Sequence, residues 1–540
     1  MCHSLRSHSA EGVHVSGTTA QAEAATEVNL PERGAILCPM PITRRSFLRS
    51  SLAVPASAAL ARTLPVQKYH TRNRIALDPN RPQYHLLPAR NWMNDPNGPI
   101  YWNGNYHLFY QYNPNAAIWG DMHWAHAMSP DLIHWQHLPI ALSPTPGGPD
   151  SEGCFSGSAV NFNGTPTLIY TGVKAVPPAE ATLRDGTHNF RESQCLATSS
   201  DPQLKTWTKL PQPVVPTPPP NLDVTGFRDP CLWQEGSWWY MGIGSGSQDV
   251  GGCVLLYRSL DLRSWTYMHR LANGSDEGRQ TSDPVASGDM WECPDFFELN
   301  GQHVLLYSTE RKVYWSTGKY DAKKQRFRIR QQGMLDHGAY YAPKSMLDAD
   351  GNRVLWGWIQ ETRPEQEYAR AGWAGLMSLP RVLTVGSDGL LRIQPSTRLE
   401  TLREGQLPLH FAEGNATLTL RELRAELELT LNAGGGIVDL SLGNPTGRPT
   451  VWSFDPDAGS VRIDGARLPQ ALDDSQPMKV RFFLDASVVE LFVNGALACT
   501  TRIYGLTPGV ARLTLHDPHH SLTESAFWHI KPISPDRLTT

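Results

Sequence analysis

Eight cysteines in 540 residues, none in CxxC spacing, signal neither a zinc ribbon nor a dense disulfide framework. Basic runs are missing too: 48 Lys and Arg stand against 52 Asp and Glu, a formal net charge of −4, so the footprint of a polyanion binder is absent and nucleic acid is not an expected partner. No segment approaches the about 20 uninterrupted apolar residues of a membrane-spanning helix, and no phosphate-cradling motif occurs. His107, His123, His126 and His134 crowd one region without metal-ligand spacing, so structural histidines are expected, with no metal and no cofactor.

What is abundant is Trp (17), Tyr (17), Gly (45) and Pro (43), a composition suited to many short strands joined by turns. The length favours at least two domains.

Near the N-terminus Thr43-Arg44-Arg45-Ser46-Phe47-Leu48-Arg49 precedes a short apolar run ending in Ala59-Leu60-Ala61. Charged, apolar and small-residue regions in that order predict a removable export leader over 1–61, similar to a twin-arginine signal, with a periplasmic or extracellular destination. Met40 is a candidate start. Removal of the leader takes Cys2 and Cys38 with it and leaves six scattered thiols, expected to be buried.

A strand, a tight turn and an aromatic strand recur five times: PIYWNGNYHLFYQY (99–112), AVNFNGTPTLIYTG (159–172), PCLWQEGSWWYMGI (230–243), FFELNGQHVLLYST (296–309) and SMLDADGNRVLWGW (345–358). Glycines 104, 164, 236, 301 and 351 end the turns, mostly behind Asn or Asp, residues that tolerate the positive φ of two-residue hairpins. Between them a second repeat appears, in SPDLIHW, SDPQLKTW and SLDLRSW. Four strands per unit and five units predict an all-β fold, a five-bladed β-propeller over 84–390, with two stacked sandwiches as the alternative. After about Arg381 the repeat stops. Period-2 alternation then predicts a C-terminal β-sandwich over 400–535, although LTLRELRAELELTL (417–430) is also compatible with a helix.

Asp95, Asp229 and Glu292 precede three of the turn glycines by nine, seven and nine residues. In a propeller the first strand of each blade lines the channel, so acids at such offsets converge. Several carboxylates among aromatics fit glycoside hydrolysis, in which one acid protonates the leaving oxygen while another attacks or activates water.

Those segments carry a resemblance. NWMNDPNGPIYWNGNYHLFYQYNP, WGDMHWAHAMSPDLIHWQHLPIAL, CFSGSAV, FRDP, WECPDFF, LDHGAYYAPKSM, RVLWGWIQE and GWAGLMSLPR occur in the order found in glycoside hydrolase family 32, the invertases, levanases and inulinases. The resemblance is strong over 84–381 and weaker over DASVVELFVNG and TRIY. It implies a retaining β-fructofuranosidase that releases fructose from sucrose or β-fructans. Asp95 in WMNDPNG is then similar to the nucleophile, Glu292 in ECPD to the acid/base and Asp229 in FRDP to the transition-state stabiliser, kept charged by Arg228. Retention implies about 5–5.5 Å between the carboxyls of Asp95 and Glu292. Asn94, Gln111, Trp119, Phe155, Ser156 and Arg228 match positions that cradle the terminal fructose. Asp295, also in ECPD, is the weaker candidate for the acid. STERKVYW (308–315) and His337 depart from sucrose-preferring relatives, which leaves the substrate open. Fructosyl transfer, an arabinanase-like or xylosidase-like hydrolase and a non-catalytic sugar-binding propeller are the competing readings.

Overall fold

The computed structural model describes residues 74–182, 189–274 and 283–538; the leader lies outside them. All the described residues belong to one compact unit.

Five antiparallel sheets fill residues 91–395. Blade I comprises Asn91–Trp102, Asn105–Asn113, His123–Ser129 and Gln136–Leu142; blade II, Gly153–Phe162, Thr165–Ala175, Phe190–Thr198 and Thr208–Lys209. Blade III comprises Val224–Glu235, Trp238–Ser247, Gly251–Ser259 and Thr266–Asn273; blade IV, Glu292–Leu299, Gln302–Thr309, Lys312–Asp321 and Arg326–Asp336; blade V, Tyr340–Leu347, Arg353–Ile359, Arg381–Val385 and Leu391–Pro395. The first strand of each packs beside the first strands of its two neighbours, in a cycle that closes from blade V to blade I. Trp373–Ala374 reinforces the closure by pairing in parallel with Asn91 and Trp92.

The turns obey local chemistry. Asn103-Gly104, Asn163-Gly164 and Asn300-Gly301 have positive φ at both residues, the two-residue hairpin that suits right-twisted strands. Blade III differs: Glu235 pairs with Trp238, so Gly236 opens its turn instead of ending it. In blade V the loop spans five residues, from Asp348 to Asn352, and is gathered on the Asp348 carboxylate.

The second repeat also has a physical basis. Asp131, Asp201 and Asp261 each accept backbone N–H groups two to four residues ahead. In each case the following leucine (132, 204 or 262) sits at positive φ, an unfavourable state for a branched side chain, and is fully buried. Burial of the leucine, together with the aspartate's hydrogen bonds, offsets the strain.

Residues 403–530 form two six-stranded sheets, packed over a core that includes Leu427, Trp452, Phe482 and Leu491. The ambiguous 417–430 run is no helix: Asn415–Thr419 lies in one sheet and Arg424–Leu431 in the other. Leu427, Leu429 and Leu431 point into the core, while Glu426 is ion-paired with Arg403 and Arg481, a period of two that only a strand satisfies.

Candidate active site

Every first strand of the propeller breaks register near its start, and the break carries the chemistry. In blade I two residues, Asn94 and Asp95, lie opposite one; the same holds for Asp229-Pro230, Cys293-Pro294 and Ala342-Pro343 in blades III, IV and V, and blade II has one extra residue, Ser156. Such bulges re-aim side chains and free proline from a ladder bond it cannot donate. Asp229, Cys293 and Ala342 adopt positive φ there.

Aligned on prolines 96, 230, 294 and 343, the site resolves into two tiers. The residues just before proline are Asp95, Asp229, Cys293 and Ala342. The Cys293 thiol lies 3.4 Å from Oδ2 of Asp95 and 3.4 Å from Oδ2 of Asp229, so those oxygens are no farther apart than twice 3.4 Å. Burial, then the charges of Asp229 and Asp95, push that thiol well above its ordinary range, so it is a neutral donor.

One residue earlier stand Arg228, Glu292 and Tyr341. Arg228 donates to Glu292 Oε1 from Nε at 3.0 Å and from Nη2 at 2.8 Å, and the Tyr341 hydroxyl lies 2.9 Å from Oε2. The guanidinium is itself held by Glu192, 3.0 Å from Nη1. All three carboxylates are buried: Asp95 and Asp229 have no exposed surface and Glu292 is 1% exposed.

Ser156 Oγ donates to Asp95 Oδ2 at 2.6 Å, and Asn94 Nδ2 to Oδ1 at 3.0 Å. Asn94 also donates to Gln111 Oε1 at 3.1 Å and accepts from the Trp92 indole at 2.8 Å. Trp119 and Phe155 meet edge to face at 5.8 Å within an aromatic cluster that includes Trp92. Gln111 Nε2 and Trp119 Nε1 are buried without an acceptor in the protein, donors suited to ligand hydroxyls.

Two family profiles match in tandem: the N-terminal domain of glycosyl hydrolases family 32 over residues 85–395 and its C-terminal domain over 395–525. The chain belongs to glycosyl hydrolase family 32. Sucrose-6-phosphate hydrolase of Escherichia coli is 36% identical over 83% of this chain and 94% of its own. Among solved structures, the β-fructofuranosidase of Bombyx mori superposes with a TM-score of 0.71 at 28% identity, covering 88% of this chain and all of that one. Fructan 1-exohydrolase IIa of Cichorium intybus gives 0.68 at 28%, over 84% and 98%. The propeller followed by a sandwich is therefore the family's fold as well as this hydrolase's.

The geometry corrects the sequence reading for the offsets, for Arg228 and for the histidines, while Asp295 stays the weaker candidate. Equal offsets of nine from the turn glycines do not mean equal positions: Asp95 and Asp229 stand directly before a proline, whereas Glu292 stands two residues before Pro294, paired with Ser308 ahead of the bulge. Arg228 directs its fork at Glu292 and approaches Asp229 Oδ2 only to 4.0 Å. Asp295 does not join the cluster of acids, for its Oδ2 accepts from Ser345 N at 2.9 Å and Ser345 Oγ at 2.6 Å. The histidines cluster only in part: His107 and His126 bond to each other at 2.9 Å, whereas His134 pairs with Asp131.

Tyr341, Glu192 and Cys293 were not singled out from sequence. Tyr341 and Cys293 had a signal, the X-Pro step shared by Asp95-Pro96, Asp229-Pro230, Cys293-Pro294 and Ala342-Pro343. Glu192 had none, since it comes from the third strand of blade II.

Proposed function

We propose that this enzyme is a retaining β-fructofuranosidase in which Asp95 is the nucleophile, Glu292 the general acid and then base, and Asp229 the stabiliser of the transition state. The observation that carries the assignment is the different hydrogen bonding of the three acids. Asp95 takes a donor on each oxygen, which favours its ionised form and suits attack on an anomeric carbon. Glu292 has the Arg228 fork on one oxygen and a phenol on the other, and the Tyr341 hydroxyl is able to donate to the carboxylate or accept from the carboxylic acid, so one contact serves both the protonated and the ionised stage.

Glu292 would protonate the leaving oxygen as Asp95 forms a fructosyl ester. It would then take a proton from the water that cleaves the ester, with inversion at each step and retention overall. Asp229, anchored by the Cys293 backbone N–H at 3.0 Å, would accept fructose hydroxyls most strongly as positive charge develops at the anomeric centre. Asn94, Gln111, Trp119, Phe155, Ser156 and Arg228 would shape the fructosyl pocket. The substrates are sucrose or β-fructans, in keeping with the relatives' names, and the leader directs the enzyme out of the cytoplasm.

The deciding experiment is the product profile of purified residues 62–540 on sucrose, inulin and levan. Free fructose from any of them supports the assignment, and its distribution ranks the substrates; no release from all three overturns it. Fractionation of cells expressing the full chain, beside an Arg44→Lys, Arg45→Lys variant, tests export.

A further inference from the structure

The loop that delivers Tyr341 to the active site is built onto the sandwich. His337 N donates to Ala498 O at 2.9 Å and Ala339 N to Thr500 O at 2.8 Å, so the bend at residues 337–339 is tied by its main chain to the edge strand Leu497–Arg502. Just before them Asp336, 2% exposed, accepts four hydrogen bonds. Oδ1 takes Gly338 N at 2.8 Å and Thr500 N at 3.0 Å; Oδ2 takes Thr500 Oγ1 at 2.8 Å and Arg381 Nη1 at 2.8 Å. Arg381 also donates to Thr500 Oγ1 at 2.8 Å, forks onto Glu490 Oε2 and stacks over the Tyr340 ring at 4.2 Å. Glu490 continues to His85 Nε2 at 3.0 Å, and His85 Nδ1 to Asp485 at 2.8 Å. No side chain fits at 338, where a Cβ would stand 1.9 Å from the Thr500 carbonyl oxygen.

We infer that Thr500 and Asp336 are positioning residues for catalysis: the edge of the sandwich fixes the 336–341 loop, and through it the placement of the Tyr341 hydroxyl on Glu292. A salt bridge whose only role was to join two domains would not need to run into the main chain five residues from an active-site hydroxyl. Here the four-way bonded carboxylate, the two interdomain backbone bonds and Tyr341 lie on one short segment. Buried polar networks with every member bonded hold a single geometry, and loss of one partner loosens the rest. Around Glu292 stand the titratable or charged Arg228 and Asp229 of blade III, its neighbour Cys293, Asp95 of blade I, and Tyr341 and Lys344 of blade V, the last bonded to Pro294 O at 2.7 Å. Thr500 reaches none of them directly.

The inference rests on Glu292 being the general acid, and the test separates the two. Thr500→Val keeps the shape but removes the hydroxyl, Thr500→Ser keeps the hydroxyl, and Tyr341→Phe removes the last link. Turnover on the best of the three substrates, its pH profile and Tm are measured for each variant and for Thr500→Val combined with Tyr341→Phe. Thr500→Val is expected to lower kcat about tenfold with little change in KM. It should also move the basic limb upward in pH as Tyr341→Phe does, because a donor to the carboxylate is lost. Thr500→Ser should restore both, and in the Tyr341→Phe background Thr500→Val should cost little more. A fall in Tm with unchanged pH profile, or effects that simply add, overturns the positioning role. Full turnover by Glu292→Gln instead overturns the assignment of the acid.

Discussion

Arg228 and Glu292 meet across the boundary of blades III and IV, with two nitrogens of the guanidinium on one carboxylate oxygen, Nη2 at 2.8 Å and Nε at 3.0 Å. The third nitrogen, Nη1, is taken by Glu192, which also accepts the N–H of Phe227. A planar cation among the buried carboxylates of Glu292, Glu192 and Asp229, bonded to the first two through all three of its nitrogens, both neutralises them in part and sets their spacing.

Replacement of Arg228 by Lys keeps the charge and loses the fork. Turnover is expected to fall by about two orders of magnitude, because an ammonium cannot hold Glu292 and Glu192 in the same plane. Steady-state kinetics beside Tm decide it: a near-normal kcat would show that charge alone suffices.

Glu292→Gln should cut turnover on sucrose or fructan by about two to four orders of magnitude, the scale of general acid catalysis. A fructoside whose leaving group needs no protonation should still release it in a burst with this variant. Absence of the burst would point to a lost binding function instead.

Ser156→Ala removes the 2.6 Å donor from Asp95. A carboxylate that loses a hydrogen bond to its charged form titrates at higher pH, so the acidic limb of kcat/KM should move upward. An unmoved limb with reduced kcat would mean that Ser156 orients Asp95 without setting its ionisation.

His107 and His126 form a buried pair under Phe109, which stacks on His126 at 4.3 Å. Burial lowers His107 from the usual 6.5 to about 4, and burial together with His107 lowers His126 well below its usual value. Below pH 6.5 the unfolded chain binds protons that the folded pair refuses, so stability should fall as pH drops from 6.5 towards 4, by up to about 1.4 kcal/mol per histidine per pH unit. Denaturant midpoints across that range should show a shallower slope for a variant in which His126 is replaced by Phe, and an equal slope would remove the pair as the cause.

Much of this enzyme was legible in the chain. Asn103-Gly104, Asn163-Gly164 and Asn300-Gly301 announce hairpins because backbone handedness is a local property. The alternation of Leu427, Leu429 and Leu431 carries the strand period, even though Glu-rich composition in the same stretch also suits a helix. The motifs around Asp95, Asp229 and Glu292 marked the acids, and the structure brings all three to the centre of the ring.

What neighbours those acids was decided by the tertiary structure. Arg228 is adjacent to Asp229 in the chain, yet its fork goes to Glu292, 64 residues on, because the bulge turns the side chain toward the next blade. Tyr341 and Thr500 are 159 positions apart in number but bound to one loop through Asp336, a relation that no spacing or composition encodes. Short-range sterics and periodicity are written in the order of residues, so turns, strands and the acids' motifs could be read there. Which partner a buried charge finds depends on strands that meet only when the ring closes and the sandwich docks, and that is settled by packing.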